Sequence, residues 1–89
     1  MTEQGHREDP ASRRVIDLAI GILMGLRGCS EREAFDDHVN AVHQTGISPA
    51  GLAGALAALV GGASGHVAHR SEAIHMWGHL LARRVTSAD

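Results

Sequence analysis

At 89 residues, 44% hydrophobic and 20% charged, the chain has room for one domain around one core and too many apolar residues to stay disordered. Its net charge is −2 and all eight of its cations are arginines, which excludes a uniformly basic nucleic-acid-binding surface and leaves open a local arginine patch. A lone cysteine, Cys29, and the lack of a basic region leading into an apolar stretch at the N-terminus exclude an internal disulfide and give no secretion signal, so a cytoplasmic protein is expected.

Residues 1–8 are polar, and a disordered N-terminus is expected there. Asp9-Pro10 follows as a helix cap with proline at the first helical position, where the missing N–H costs nothing. The first helix is expected to run to about Arg27 and to close at Gly28 in a left-handed conformation. Ser30-Glu31-Arg32-Glu33 reads as a capping box, in which the serine hydroxyl and the glutamate carboxylate each satisfy a backbone N–H. The second helix carries Ala34, Phe35, His38, Val39, Ala41 and Val42 at helical spacing, with Phe35 expected in the core, and ends near Gly46. Ser48-Pro49 repeats the cap-plus-proline signal and opens a third helix, with Leu52, Ala55, Leu56, Leu59 and Val60 facing inward. Residues 61–70 form a glycine-rich joint, flexible over Gly61 to Gly65. A fourth helix over 71–85 turns Ile74, Trp77, Leu80 and Leu81 to one face, with Arg83 and Arg84 in its last turn, where cations suit the helix dipole. No segment alternates with period two, so no strand is expected. The longest apolar segment, Val15 to Leu26, is interrupted by Asp17 and falls short of the roughly 20 residues that cross a bilayer.

The first helix carries a more specific signal. Ser12-Arg13-Arg14-Val15-Ile16 followed by Ala19-Ile20-Gly21-Ile22-Leu23-Met24 resembles the signature of the ANTAR family, Ser-Arg, then Ile, then Ala-Lys-Gly-Ile-Leu-Met. The register holds downstream. Ser30 to Phe35 is similar to the family's short turn into a helix that starts with acidic residues and Ala-Phe, and Leu52-Ala53 falls where its third helix has an apolar residue and Ala. The resemblance covers residues 12 to about 60.

The resemblance implies an all-α fold: a three-helix ANTAR-like bundle over residues 9–60 with an additional C-terminal fourth helix. It implies a non-enzymatic RNA-binding module that acts as a homodimer, recognises tandem hairpins in a bacterial nascent transcript and prevents a terminator hairpin from forming. Family members carry an upstream sensing domain. About nine residues precede the first helix here, and Pro10 discourages a helical extension backwards, so the sensor domain is expected to be absent from this chain and the signal to come from a separate sensor protein. Arg13, Arg14, Arg27 and Arg32 are the expected RNA contacts, because phosphate contacts supply most of the affinity of nucleic-acid binders.

Two features depart from the family pattern. Its helix-one lysine is Ile20 here, and the Leu-Arg pair of its second helix is His38-Val39. Positions 13, 20 and 27 share nearly one helix face, so a lysine at 20 would complete a basic stripe, and Ile20→Lys is expected to raise RNA affinity modestly. The alternative is a degenerate ANTAR-like protein-interaction or dimerisation module that no longer binds RNA.

Gly21 and Gly25 lie inside the first helix, where each costs roughly 1 kcal/mol relative to alanine. Close approach of another helix would offset that cost. Ile16, Ile20, Gly21, Leu23, Met24 and Gly25 are therefore the expected helix-packing or dimer residues, against the chain's own interior on one side and a second copy or the fourth helix on the other. The pairs His66/His69 and His75/His79 have the spacing to share a helix face, but four tetrahedral ligands are not in view, and neither a metal nor another cofactor is expected. Asp36 and Asp37 are adjacent and diverge on a helix, complementing its dipole, and no nucleophile motif is present, so no catalytic residue is expected.

Overall fold

The computed structural model describes residues 10–63 and 65–87, with side chains as far as Arg83. The expected Asp9 cap, the expected disorder of residues 1–8 and the Arg84 side chain lie outside the described residues. Four helices follow in order: α1 (Pro10–Arg27), α2 (Glu31–Thr45), α3 (Pro49–Val60) and α4 (Arg70–Ser87). Among the described residues there is no strand, and no helix is long and apolar enough to cross a membrane.

Local chemistry sets the ends of the first three helices. Gly28 and Gly46 take left-handed φ values of 67° and 74°, which residues with a β-carbon adopt only at a cost, and their N–H groups close back on the carbonyls of Met24 and Val42. At Ser30 the capping box forms in both directions: Glu33 N–H donates to Ser30 Oγ at 3.1 Å and Ser30 N–H donates to Glu33 Oε1 at 2.9 Å. Donation to the carboxylate from the Ser30 backbone N–H, and secondarily from its side chain, holds the Glu33 carboxyl below its ordinary value. Ser48 caps α3 by accepting from Gly51 N–H at 3.0 Å.

The core centres on α3, which packs against all three other helices. Its sequence is apolar nearly all round, and Leu52, Ala53, Ala55 and Leu56 are all buried. Against them α1 sets Ala19, Ile20 and Leu23, α2 sets Ala34, His38 and Ala41, and α4 sets Ala73, Trp77 and Leu80. Alanines at so many contact points let the helix axes approach closely around the few large side chains.

Three expectations about facing are corrected. Phe35 is not in the core but 49% exposed, because α2 buries the stripe of 34, 38 and 41 and position 35 lies to its side. Ile74 is likewise exposed, and Ala73 takes its place on the buried stripe of α4. His66 and His69 lie in the connection before α4, so they share no helix face, whereas His75 and His79 lie exposed on α4. His69 stands in the left-handed region at φ 61°, a conformation that costs a residue with a β-carbon roughly 1–2 kcal/mol.

Trp77 ties α4 to the rest. Its ring is fully buried and stacks on His38 of α2, with ring centroids 6.1 Å apart and planes 7° from parallel. Its Nε1–H donates to Asp37 Oδ2 at 3.1 Å. The same oxygen accepts from Arg27 Nε at 2.8 Å, so one carboxylate joins the end of α1 and the middle of α4 to α2. His38 donates from Nε2 to the Pro49 carbonyl at 3.0 Å, and its Nδ1 is buried without a hydrogen-bond partner.

Candidate nucleic-acid interface

The four arginines expected to meet RNA separate in space. Arg13 from α1 and Arg32 from α2 line one open groove of about 530 Å³, together with Ile16, Asp17, Ile20, Glu31 and Phe35. Arg14 is exposed and outside this groove. Arg27 is held by Asp37 and lines a different groove, of about 450 Å³, with Cys29, Glu33, Asp36, Asp37 and Asn40.

That separation undoes the basic stripe. Positions 13, 20 and 27 do follow one face of α1, but Ile20 is 6% exposed and Arg27 is turned to α2 by its ion pair. Isoleucine at 20 forms the floor of the first groove with Ile16, and the guanidinium that completes the groove comes from Arg32, on the other helix. A lysine at 20 would have to thread its stem through that floor to reach water.

The α1–α2 groove is amphipathic. Half-exposed Phe35 lines it with the aliphatic Ile16 and Ile20, and its charged lining is Arg13, Arg32, Asp17 and Glu31. Arg32 pairs with Asp36 at 3.8 Å across one helical turn, with both side chains largely exposed, a contact worth a few tenths of a kcal/mol. An aromatic face, two planar cations and two acceptors make a surface that can stack a flat heterocycle, hold a phosphate and accept from an N–H edge.

The other half of α1 carries a second opening. Gly21, Ile22, Gly25 and Leu26 line a groove of about 490 Å³ with Val60, Leu80 and Arg83. A methyl added at Gly21 or Gly25 would meet nothing within 4 Å, so among the described residues no helix of the same chain makes the close approach expected at these glycines. Of the other residues expected to pack there, Ile20 and Leu23 are buried in the chain's own core, while Ile16 and Met24 are half-buried against it.

Elsewhere the titratable groups are dispersed. Among the described residues no set of three or more His, Cys, Asp or Glu side chains is arranged to hold a metal ion. Cys29 is half-buried, with its Sγ 4.0 Å from the Leu23 carbonyl. The Asp37 hub was not foreseen; its only sequence signal was an acid beside a histidine on the inner side of α2.

The family model for the ANTAR domain matches residues 5–56, more than half of the 89 residues. The match takes in α1, α2 and the first part of α3, and leaves α4 outside. No curated protein and no solved structure matches the chain.

Proposed function

The chain belongs to the ANTAR family, a helical, regulatory and non-enzymatic family of RNA-binding domains, and from that premise we propose that it is a transcription antitermination regulator that binds tandem hairpins in nascent transcripts. The observation that carries this reading is the meeting of Arg13 and Arg32, from two different helices, at one open groove with a half-exposed aromatic ring. Arg14 extends the cationic surface beyond that groove. A regulator of this kind works in the cytoplasm.

Salt dependence tests the arginines. Each phosphate contact contributes a slope of roughly 0.7–0.9 in the logarithm of affinity against the logarithm of salt. Arg13→Ala and Arg32→Ala are each expected to weaken binding of a labelled tandem-hairpin RNA and to flatten that slope by close to one contact. Slopes equal to the parent's in both variants would remove the groove from the RNA interface.

The same reading has the protein act as a homodimer. Support comes from the second groove, where no described residue covers α1 at Gly21 and Gly25, beside Ile22 and Leu26, and from Leu18, which precedes it on α1 and is 54% exposed. A second copy's α1 laid along this face would supply the close helix contact that the glycines permit. Light scattering at tens of micromolar is expected to give the dimer mass for the parent. Gly25→Arg should give the monomer mass with unchanged helicity, since a β-carbon at that position meets nothing within 4 Å. A monomeric parent would sink the homodimer.

A further inference from the structure

We propose that the α1–α2 groove is a clamp for a single unpaired nucleobase of the RNA loop, with Phe35 as its stacking face, Arg13 and Arg32 as its phosphate and sugar contacts, and Asp17 and Glu31 as acceptors for the base's edge. The inference rests on the RNA-binding reading above and deepens it by naming what part of the RNA enters and which bases fit.

The exposure of Phe35 is the starting point. It is the only phenylalanine in the chain, and it lies half in water while the neighbouring stripe of α2 is packed with alanines and a histidine. Single exposed apolar residues are commonplace. This one, however, lines one groove together with Ile16, Ile20 and the two arginines. Sequence-specific RNA recognition targets splayed-out bases that stack on aromatic rings or arginine planes and are read along their hydrogen-bonding edges. The groove volume, about 530 Å³, falls within the roughly 300–1,000 Å³ typical of small-ligand pockets.

The two carboxylates give the clamp a direction. A purely phosphate-binding groove has no use for Asp17 and Glu31, which would repel the backbone. Beside a stacked base they have a partner, because adenine, cytosine and guanine each present an amino group on the Watson–Crick edge that donates to a carboxylate. Uracil presents one N–H between two carbonyl oxygens, and those oxygens repel an acceptor. The clamp therefore takes amino-bearing bases and disfavours uracil.

The test uses the full chain and three labelled RNAs: a tandem hairpin with loops of mixed sequence, the same stems with all-uridine loops, and the stems as continuous duplex. Phe35→Ala is expected to weaken binding to the mixed-loop hairpin by roughly 5- to 150-fold, the range for removing one aromatic stacking partner, and to leave duplex binding unchanged. Phe35→Trp should restore the parent affinity to within a few-fold. The parent should prefer mixed over uridine loops, and the double variant Asp17→Asn, Glu31→Gln should lose that preference. If the parent binds hairpins and Phe35→Ala binds them equally, the clamp is overturned while the RNA-binding reading stands. If the parent binds none of the three RNAs, the RNA-binding reading itself falls. A Phe35→Ala protein that keeps its RNA affinity but drops in mass by light scattering would show the groove to be a contact between protein chains, which also overturns the clamp.

Discussion

Replacing Trp77 by alanine is expected to destabilise the protein by roughly 3–5 kcal/mol, the usual cost of truncating a large buried aromatic side chain. The ring is fully buried, stacks on His38 and donates to Asp37, so truncation leaves a void and removes one of the two donors that Asp37 accepts from. Small domains have total stabilities of about 5–15 kcal/mol, so a loss of this size brings one to the edge of unfolding at room temperature. Trp77→Phe keeps a ring in place but loses the N–H, and should lie between the parent and Trp77→Ala. Urea denaturation followed by circular dichroism measures all three. A loss below about 1 kcal/mol for Trp77→Ala would mean that α4 is not docked as described. The prediction matters because α4 lies outside the family match and yet supplies the largest side chain of the core.

Acidification is expected to destabilise the protein through His38. Burial holds its pKa below the ordinary 6.5, opposed by the hydrogen bond to the Pro49 carbonyl and by the charge of Asp37. The fold thus favours the neutral ring, consistent with a buried Nδ1 that has no partner. The sign follows from proton counting: the unfolded chain takes up a proton near 6.5 that the folded chain resists. The stabilisation is fully present above that pH and is lost progressively as pH falls from about 6.5 towards the lower folded-state value. His38→Leu has nothing to protonate at this position and fills much of the same space. Its stability at about pH 8 should lie within roughly 1–2 kcal/mol of the parent's, and its decline from pH 8 to pH 5.5 should be shallower. Identical declines in the two proteins would contradict the assignment. Trp77 is the sole tryptophan and stacks on this histidine, so its fluorescence reports the same transition.

How much of this was legible in the sequence divides along the range of the interactions. The turns were legible because their signals are local. Ser30 and Glu33 cap each other across three residues, Ser48 caps from one side of a proline, and Gly28 and Gly46 supply the left-handed closures. What was not legible was which residues α2 turns inward. Phe35 and Val39 looked as suitable for the core as Ala34, His38 and Ala41, and the choice depends on where α3 and α4 stand. Once Trp77 is seated on His38, position 35 is rotated out. The Asp37 hub joins residues 10 and 40 positions away, and such a contact leaves no periodic trace. Of the candidate interface, the arginines could be named from the sequence, but not that Arg27 is held by Asp37 while Arg13 and Arg32 meet.

The two departures from the family pattern acquire physical meaning in the fold. His38 stands where the pattern has an apolar residue, and it is the surface on which Trp77 of α4 is stacked. Ile20 stands where the pattern has lysine, and it floors the groove whose rim charges come from both helices.

The most direct test of the central reading is the affinity of the parent protein for a labelled tandem-hairpin RNA and for a scrambled control, each at two salt concentrations. Tight binding to the hairpins that weakens steeply with salt, with the control much weaker at both concentrations, is the result this account predicts. Equal and weak binding to both RNAs would contradict it and leave a domain that has kept the family's fold and turned it to contacts between proteins.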